Sequence, residues 1–501
     1  MDSFDTLLHG FGIALMPANL LSAALGVTLG TAIGVLPGIG PATTVALLMP
    51  LTAGLEPVSA FIMFAGIYYG AQYGGSTTAI LVNLPGESSS VVTAIDGHAM
   101  AKKGEAGAAL VVAALGSLFA GIVGTVLIAA FGPVLAGVAF YFGAPEYFSL
   151  VVLGLLGAVV LAHGSPAKAI AMVLLGLLLG TVGTDVNSGA ARFTFGSLNL
   201  IDGFEIAVVA MGVFGLAELM RNLESPPDTG VVTSKVGGLW LTGAQFRAAV
   251  LPVLRGTGIG ALLGLLPGGG AVLASFASYS IEKKVARDPS RFGKGAIEAV
   301  AGPESANNAA AQTSFIPMLT LGIPATSTMA LMIGAMTVHN IQPGPMIMSR
   351  QPELFWGLIA SMVIGNIILV ILNLPLVGLW VKLLKVPYRL LLPAILLFTS
   401  IGLYSLSNAT FDVMAAFGFG ALGYVLVKCD CEPAPFILGF ILGPLMEENL
   451  RRALTISQGD VSVFLTRPIS LTLLVAAAAL LVLLVAPSFR KQREVIFQDA
   501  E

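Results

Sequence analysis

The chain has 501 residues, of which 56% are hydrophobic and only 10% are charged. Soluble domains carry about 25% charged residues, so a soluble core of this size would lack the polar surface that it requires. The formal net charge of −3 gives no indication of nucleic-acid binding. Two cysteines, Cys429 and Cys431, are too few for a disulfide scaffold. Composition therefore predicts a membrane protein.

Eight apolar runs reach or approach the length of a membrane-spanning helix, which is about 20 residues. In chain order they are 108–131, 148–161, 170–181, 204–220, 354–372, 390–404, 413–427 and 471–486. Many of the 60 glycines and 28 prolines fall inside apolar stretches. In lipid, such breaks persist only where protein or a water-filled cavity satisfies the freed backbone groups, although close helix packing accounts for most glycines. These runs predict an all-α polytopic membrane protein with broken helices.

Two breaks in the first half of the chain recur in the second half. The Gly-Thr-Ala-Ile-Gly-Val-Leu-Pro-Gly-Ile-Gly segment at 30–40 matches Gly-Ala-Leu-Leu-Gly-Leu-Leu-Pro-Gly-Gly-Gly at 260–270, 230 residues later. Asn-Leu-Pro-Gly-Glu-Ser-Ser-Ser at 83–90 resembles Gly-Ile-Pro-Ala-Thr-Ser-Thr at 322–328, 239 residues later. His98 and His339 align at an offset of 241. A nearly constant offset predicts an internal repeat.

The repeat divides the chain. Repeat 1 is expected at 1–225, with a helical hairpin at 20–50, a broken segment at 70–90 and then plain spans. A linker follows at 226–247. Repeat 2 is expected at 248–467, with a hairpin at 250–281, a broken segment at 305–328 and then plain spans. A C-terminal transmembrane helix at 468–488 and a cytoplasmic tail at 489–501 complete the chain. The N-terminus lacks the cationic region of a cleaved signal peptide, so the first apolar stretch is expected to stay in the mature protein.

Loop cations predict that the two halves have opposite orientations, because short loops rich in Lys and Arg stay cytoplasmic. The loop at 51–57 has no cation, whereas its counterpart carries Lys283, Lys284, Arg287, Arg291 and Lys294. At the next loop the contrast reverses, and the alternation continues along both halves. This is the pattern of an inverted-topology repeat. Both hairpins are then re-entrant, and their tips at 36–41 and 266–270 are expected to meet near the midplane, within about 20 Å of each other.

One group of arginines conflicts with this topology. Arg451, Arg452 and Arg467 fall in a loop that the alternation places outside. Either a short segment near 436–445 does not cross the membrane, or these arginines pair with acidic neighbours. The candidate partners are Glu447, Glu448 and Asp460.

Broken helices offer chemistry for an anion and a cation together. Half-helix N-termini are partly positive and suit a carboxylate, while unwound carbonyls and neutral hydroxyl oxygens suit Na⁺. The alternative is that the hydroxyls bond to the helix backbone and the glycines only pack. The candidate substrate- or ion-binding residues are Pro37, Gly38, Gly40, Thr43, Ser76, Thr77, Thr78, Asn83, Pro85, Gly86, Ser88, Ser89, Pro267, Gly268, Gly269, Gly270, Asn307, Asn308, Thr313, Pro324, Thr326 and Ser327.

Glu87 and Glu304 each border a polar cluster. An intramembrane carboxylate is a functional hypothesis by default, so either residue is a candidate coupling carboxylate for Na⁺ or H⁺. Each is equally consistent with the end of a helix in the interfacial region. The tyrosines at 68, 69 and 73 fit either a cavity lining or an interfacial aromatic belt. No cofactor is expected, and no metal apart from a transported Na⁺.

Several of these stretches resemble the large membrane subunit of the tripartite tricarboxylate transporters. They include Gly-Val-Leu-Pro-Gly-Ile-Gly-Pro-Ala-Thr-Thr at 34–44, Tyr-Gly-Ala-Gln-Tyr-Gly-Gly-Ser-Thr-Thr-Ala at 69–79 and Asn-Leu-Pro-Gly-Glu at 83–87. In the second half they include Pro-Glu-Ser-Ala-Asn-Asn at 303–308, Leu-Gly-Ile-Pro at 321–324 and Gly-Pro-Leu-Met-Glu-Glu-Asn at 443–449. The resemblance covers nearly the whole chain.

The resemblance implies a bacterial inner-membrane importer with an ion-transporter-superfamily-like fold, paired hairpins and elevator-like movement. It also implies two partners, a small four-helix membrane subunit and a periplasmic solute-binding protein. Family members carry tricarboxylates, dicarboxylates or aromatic acids in symport with a cation. One departure concerns the second break, where Ala325 follows Pro324 at a position that is usually Gly in the family. Substrate contacts at that tip are therefore in question.

Two other classes of function remain as alternatives. A stand-alone channel or permease without a binding-protein partner is compatible with symmetric re-entrant loops. An intramembrane enzyme would need a recognisable catalytic constellation. The sequence has neither paired His/Glu zinc spacing nor an Asp-rich metal motif, and it shows no convincing Ser–Lys pair.

The predicted second hairpin tip can be tested by a single substitution. Replacing Gly269 with a bulky residue is expected to abolish uptake, because a side chain would block backbone groups at the tip. Membrane insertion should be intact, which immunoblotting of the membrane fraction would check. Retained uptake would show that the tip is only a packing feature.

Overall fold

The computed structural model describes residues 3–36, 40–139, 141–162, 165–185, 188–224, 238–266, 270–344, 346–383 and 388–485. Within these ranges the chain is helical, apart from short connections and one antiparallel pair of two-residue strands, β1 and β2. The first half contains α1 Ser3–Ala14, α2 Pro17–Val35, α3 Pro41–Thr52, α4 Pro57–Val82, α5 Val91–Lys102, α6 Ala106–Ala139, α7 Ala144–Leu161, α8 Pro166–Gly180, β1 Gly183–Thr184, β2 Ala191–Arg192, α9 Ile206–Ala210 and α10 Ala217–Glu224.

The second half likewise consists of long and short helices. It contains α11 Gly243–Leu263, α12 Gly270–Val285, α13 Glu298–Thr313, α14 Phe315–Leu321, α15 Ser327–Val338, α16 Ile347–Arg350, α17 Pro352–Asn373, α18 Val377–Leu383, α19 Tyr388–Ser407, α20 Thr410–Lys428, α21 Pro433–Ile456, α22 Val463–Thr466 and α23 Pro468–Val485. Single turns of 3₁₀-helix lie at Ser88–Ser90, Leu198–Leu200 and Pro289–Arg291, and a π-helical turn at Met211–Leu216 joins α9 to α10.

The apolar runs expected from the sequence fall within helices, apart from Thr181, Phe204 and Glu205 at the ends of two runs and residue 486, which lies outside the described residues. Six helices in the described ranges are long and apolar enough to cross a membrane, which confirms an all-α polytopic fold. Large apolar side chains such as Val126 and Val482 are more than half exposed, as lipid-facing residues are. Many prolines begin helices, for example Pro41, Pro57 and Pro433. Proline suits the first helical position because it has no N–H to satisfy there.

The most polar helices are also the most enclosed. Almost all of α4 is buried, including Gln72 and the hydroxyl residues near its end. Every residue of α13 from Ala299 to Thr313 is buried as well. Burying polar side chains is costly unless they find partners, so these helices are candidates for function rather than for packing alone.

Two stripes of glycine bring these polar helices against a neighbour. A Cβ atom on Gly26, Gly30 or Gly34 of α2 would lie within 2.4 Å of a backbone oxygen of α4. The residues 230 positions later are Gly256 and Gly260 of α11 and Gly264 directly after it. A Cβ on any of them would lie within 2.5 Å of a backbone oxygen of α13. The same packing therefore occurs in both halves at the offset seen in the sequence.

Helices of the two halves also pack closely against each other. In α8, a Cβ on Gly176 would lie 2.1 Å from the backbone oxygen of Phe436, so α8 of the first half packs closely on α21 of the second. In the opposite sense, a Cβ on Gly212 would lie 2.7 Å from the oxygen of Ala416 in α20. Each half thus supplies a packing surface for the other.

The arginines that conflicted with the topology are paired. The segment 436–445 lies within the single helix α21. Arg451 contacts Glu447 at 2.7 Å, and Arg452 contacts Glu448 at 2.5 Å. Arg467 pairs with Glu146 at 2.5 Å rather than with Asp460. Pairing reduces the positive charge of this loop, which agrees with the second of the two explanations.

The glycine contact between α11 and α13 predicts a difference between two neighbouring substitutions. Gly260→Ala is expected to destabilise the protein by about 1–3 kcal/mol, the usual cost of overpacking, because its methyl group would collide with the α13 backbone. Gly258→Ala is the matched control, since a Cβ there meets nothing within 4 Å. Thermal unfolding of the detergent-solubilised protein would measure both. Equal melting temperatures for the two variants would contradict the close contact.

Candidate functional site

The first break follows α4. Asn83 ends this helix in the left-handed conformation, with φ 59°, and the chain then runs extended to Glu87 at φ −150° and ψ 165°. Glu87 is the N-cap of the turn Ser88–Ser90, which leads directly into α5. The Ser90 hydroxyl donates to the backbone oxygen of Glu87 at 2.8 Å, which holds the turn in place.

The second break has the same construction. Gly322 ends α14 with φ 72°, and Thr326 is the extended N-cap of α15 at φ −141° and ψ 165°. The Thr326 hydroxyl oxygen accepts from the backbone N–H of Met329 at 3.2 Å. Gly322 and Thr326 stand 239 residues after Asn83 and Glu87, respectively. The residue at the N-cap position therefore carries a carboxylate in one break and a hydroxyl in the other, and only the hydroxyl of Thr326 accepts a hydrogen bond from the helix backbone.

A cavity of about 930 Å³ lies where the breaks meet. Pockets for small molecules usually measure about 300–1,000 Å³. Its wall includes the N-terminal residues of α3 (Gly40–Thr43), of the turn before α5 (Glu87–Ser89), of α12 (residues 271–273) and of α15 (Thr326–Thr328). Helix N-termini present unpaired N–H groups and partial positive charge, so their convergence favours a negatively charged ligand.

Charged side chains also line the cavity. Lys168 of α8 lies 3.5 Å from Asp430, and Arg221 of α10 lies 4.0 Å from Glu218. Asp430 is 88% exposed and Arg221 is 61% exposed, so the cavity is open to the surface beside these residues. We call this group of paired charges the mouth of the cavity.

The carboxylate of Glu87 is held in the cavity wall by a hydrogen bond. Ser89 donates a short hydrogen bond to Oε1 of Glu87, and the Ser89 hydroxyl also lies 2.9 Å from Oε1 of Gln72. Gln72 is buried in α4, so this contact ties the first break to the polar face of that helix. An ionised carboxylate at this position would repel an anion in the cavity unless a proton or a cation neutralised it.

Many of the residues proposed from the sequence line this cavity. They are Gly40, Thr43, Gly86, Ser88, Ser89, Thr326 and Ser327, together with Glu87. Gly270 begins α12 nearby, and a Cβ on it would lie 2.7 Å from the side chain of Thr326. Pro37, Gly38, Pro267, Gly268 and Gly269 lie outside the described residues.

The other proposed residues are placed elsewhere. Asn83, Pro85 and Pro324 belong to the breaks but do not line the cavity. Inside α13, Asn308 donates to the Ser117 hydroxyl at 2.7 Å, and Thr313 donates to the backbone oxygen of Ala309 at 3.0 Å. Both side-chain polar atoms of the buried Asn307 are without a hydrogen-bond partner among the described residues.

The hydroxyl cluster at the end of α4 is helical rather than unwound. Ser76, Thr77 and Thr78 each donate to, or lie within hydrogen-bonding distance of, the backbone oxygen four residues earlier, at 3.0, 3.1 and 3.2 Å. Thr78 also reaches the backbone oxygen of Val35 at 3.0 Å, which attaches the end of α2 to α4. Ser76 lies 2.8 Å from Oε1 of Glu304, so the second candidate carboxylate belongs to this cluster and not to the cavity.

Several cavity residues were not among the proposed binding residues. Tyr68 lines the cavity, as one of the two interpretations of the tyrosines allowed, and Gln72 lines it one helical turn later. Tyr68, Tyr69 and Tyr73 are buried, so they do not form an interfacial belt. Phe214 reaches the wall from the π-helical turn, a distortion that is frequent at functional sites. Lys168 and Arg221 arrive from distant helices, which only the tertiary packing reveals.

The two breaks differ in how tightly they pack. A Cβ on Gly86 would lie 2.0 Å from the backbone oxygen of Gly34, so no other residue fits there without movement. The equivalent position in the second break is Ala325, which is fully buried. The methyl group of Ala325, at a position where the resemblance leads us to expect Gly, is therefore packed in the protein interior and does not line the cavity.

The comparisons with known proteins agree with this architecture. The model of the tripartite tricarboxylate transporter TctA family matches residues 20–438. An uncharacterised 52.8 kDa protein of the TAR-I ttuC' 3'region of Agrobacterium vitis is 58% identical over 501 residues, the full length of both chains. An uncharacterised protein of the TAR-II ttuC' 3'region of the same organism is 62% identical over 240 residues, which are 48% of this chain and 99% of that protein. No solved structure gives a significant match. The chain belongs to the TctA family of tripartite tricarboxylate transporters, as a multi-pass membrane protein.

Proposed function

We propose that this chain is the translocation subunit of a binding-protein-dependent importer that carries a small carboxylate together with Na⁺ or H⁺. Family membership supports a transport role. The observation that carries the carboxylate assignment is the convergence of four helix N-termini on one cavity. A bound carboxylate would accept hydrogen bonds from backbone N–H groups there, without needing a dedicated arginine.

The asymmetry between the two breaks supports coupling to a cation. Thr326 caps one N-terminus with a neutral hydroxyl, whereas the residue at the same N-cap position of the other break is Glu87, which carries a carboxylate. An anionic substrate and an ionised Glu87 would repel each other at close range. Binding of a proton or a Na⁺ beside Glu87 removes that repulsion, so each ligand favours the binding of the other.

The division of the cavity wall supports alternating access. One side consists of the breaks and of the N-termini of α3 and α12, and the other consists of α8, α10 and the α20–α21 connection. The ion pairs at the mouth, Lys168 with Asp430 and Arg221 with Glu218, join residues of the second side to each other. In our proposal the hairpin-bearing side moves past this scaffold, in an elevator-like manner, and the occupied cavity favours the movable state.

The orientation of the cavity follows from the loop charges. Its mouth carries Lys168 and Arg221, which belong to loops that the cation alternation assigns to the cytoplasm. We therefore propose that this conformation is open to the cytoplasm of a bacterial cell, in the inner membrane. The substrate would reach the opposite, periplasmic face from a solute-binding protein, with a small four-helix subunit completing the membrane complex.

The proposed orientation predicts one-sided labelling of Ser88, which is exposed in the cavity. In a Cys429→Ser, Cys431→Ser background, Ser88→Cys should react with a membrane-impermeant maleimide added to inside-out vesicles. Ser305→Cys is the matched control, because Ser305 is fully buried and should stay unlabelled. Labelling of Ser88→Cys only in right-side-out vesicles would overturn the orientation.

The transport function is tested by uptake into proteoliposomes that contain all three components. Accumulation of a carboxylate selected by the cognate binding protein should require a Na⁺ or H⁺ gradient. Uptake that is unaffected when both gradients are collapsed would refute symport.

The proposed role of Glu87 predicts a specific loss of coupling. Glu87→Gln should lower gradient-driven accumulation by about 5-fold to 150-fold, the range of typical coupling energies, while substrate exchange at equilibrium persists. Glu105→Gln, a change at an exposed carboxylate in the loop before α6, is the control and should transport normally. Unchanged gradient dependence in Glu87→Gln would exclude this carboxylate from coupling.

A further inference from the structure

A second polar cluster lies apart from the cavity, between α4, α5, α13 and α17. Its centre is Glu304, which is 1% exposed. Oε1 of Glu304 lies 2.8 Å from the Ser76 hydroxyl and accepts a short hydrogen bond from Thr93. Beside it, the Thr77 hydroxyl lies 3.2 Å from Oδ1 of Asn373. Each of the four helices therefore contributes a side-chain oxygen.

This cluster has more close oxygen pairs than hydroxyl hydrogens. Ser76 lies near both the backbone oxygen of Gln72, at 3.0 Å, and Glu304. Thr77 lies near both the backbone oxygen of Tyr73, at 3.1 Å, and Asn373. A hydroxyl group has one hydrogen and can donate it once. With Glu304 ionised, each of these two hydroxyls therefore leaves one oxygen pair with no hydrogen between its members.

Side-chain rotation does not remove this excess of oxygen. The Nδ2 group of Asn373 donates to the backbone oxygen of Leu369 at 3.0 Å. Turning the amide would place its oxygen against that carbonyl and lose the hydrogen bond. The backbone oxygens of Gln72 and Tyr73 cannot become donors. A positive species between the side-chain oxygens is the remaining way to make these contacts favourable.

The charge of the cluster points to the same conclusion. None of the ion pairs formed between described residues includes Glu304. An isolated charge buried in the membrane region is expensive, so an ionised Glu304 needs a counter-charge. Neutral hydroxyl and amide oxygens with one carboxylate match the ligand preference of a hard monovalent cation and give a neutral site.

The space for an ion is present. A void of about 10 Å³ is lined by Tyr73, Ser76, Thr77, Glu304 and Asn373, with apolar residues completing its wall. This is the space of about one water-sized sphere. We propose that the Glu304 cluster is a binding site for one Na⁺ ion, separate from the anion cavity. This inference rests on the proposed symport function and specifies where the co-transported Na⁺ binds.

The site is connected to the cavity through α4. Gln72 lines the cavity, and its backbone oxygen lies 3.0 Å from the hydroxyl of Ser76 one turn later. The Gln72 side chain also contacts Ser89, which holds Glu87. Thr93 belongs to α5, the helix that the first break begins. Occupation of the Glu304 site would therefore fix both the wall of the cavity and the position of its capping segment.

The test is equilibrium binding of ²²Na⁺ to the purified full-length chain in lipid nanodiscs, with choline⁺ maintaining ionic strength. Wild-type protein should bind Na⁺ saturably. Glu304→Gln should lose that binding. Thr77→Val should weaken it by about 10-fold to 100-fold, as loss of a metal-site partner typically does. Thr77→Ser, which keeps the hydroxyl, should restore it.

Two control variants separate this site from its surroundings. Thr125→Val removes a buried hydroxyl of α6 that bonds only to the Gly121 backbone at 2.8 Å and should bind Na⁺ normally. Glu105→Gln changes an exposed carboxylate in the loop before α6 and should also retain Na⁺ binding. Each variant must elute as a single peak from size-exclusion chromatography. Absence of saturable Na⁺ binding in the wild type, as expected if Glu304 carries only a proton, would overturn the proposal.

The outcome distinguishes this site from the proposed function. If Glu304→Gln binds Na⁺ with wild-type affinity while carboxylate uptake needs a Na⁺ gradient, this site is refuted and the transport function stands. If ²²Na⁺ binding depends on Glu304 but the reconstituted complex moves no carboxylate, the site stands and the transport function is refuted.

Discussion

The close contact between glycine-rich and polar helices is the constraint on which the site depends. Gly34 of α2 and Gly264 of α11 let each helix approach the backbone of its neighbour, α4 or α13. Without side chains between them, the ends of α2 and α11 can stand beside the breaks. Thr78, near the end of α4, contacts the backbone oxygen of Val35 and so joins the end of α4, where the first break starts, to the end of α2. The positions of the helix N-termini therefore follow from backbone packing more than from any single polar side chain.

The same contact explains how polar helices survive at the centre of a membrane protein. Because α4 and α13 are enclosed by protein, their hydroxyl and amide groups face each other instead of lipid. Polar groups that are satisfied locally, such as Thr313, only complete the helix. Among the described residues, both polar side-chain atoms of Asn307 lack a hydrogen-bond partner, and the Glu304 carboxylate has hydroxyl partners but no ion-pair partner.

The sequence predicted the helices and the two breaks because hydropathy, proline and glycine act locally. It also indicated Thr326 as a candidate binding residue and Glu87 as a candidate coupling carboxylate, because each follows a Pro-containing break, and both line the cavity. It could not predict that Ser76 lies inside α4 while Ser88 lies in the break, because this depends on where the helix ends, at Asn83. Lys168 and Arg221 were beyond reach, because their place at the mouth depends on packing between distant parts of the chain.

The close packing between helices of the two halves affects whether the chain can be divided into separate halves. Gly176 of α8 lies against α21, and Gly212 lies against α20. Either half alone would expose a glycine-lined groove shaped for a helix that it does not contain. The halves behave as complementary fragments instead of as independent modules.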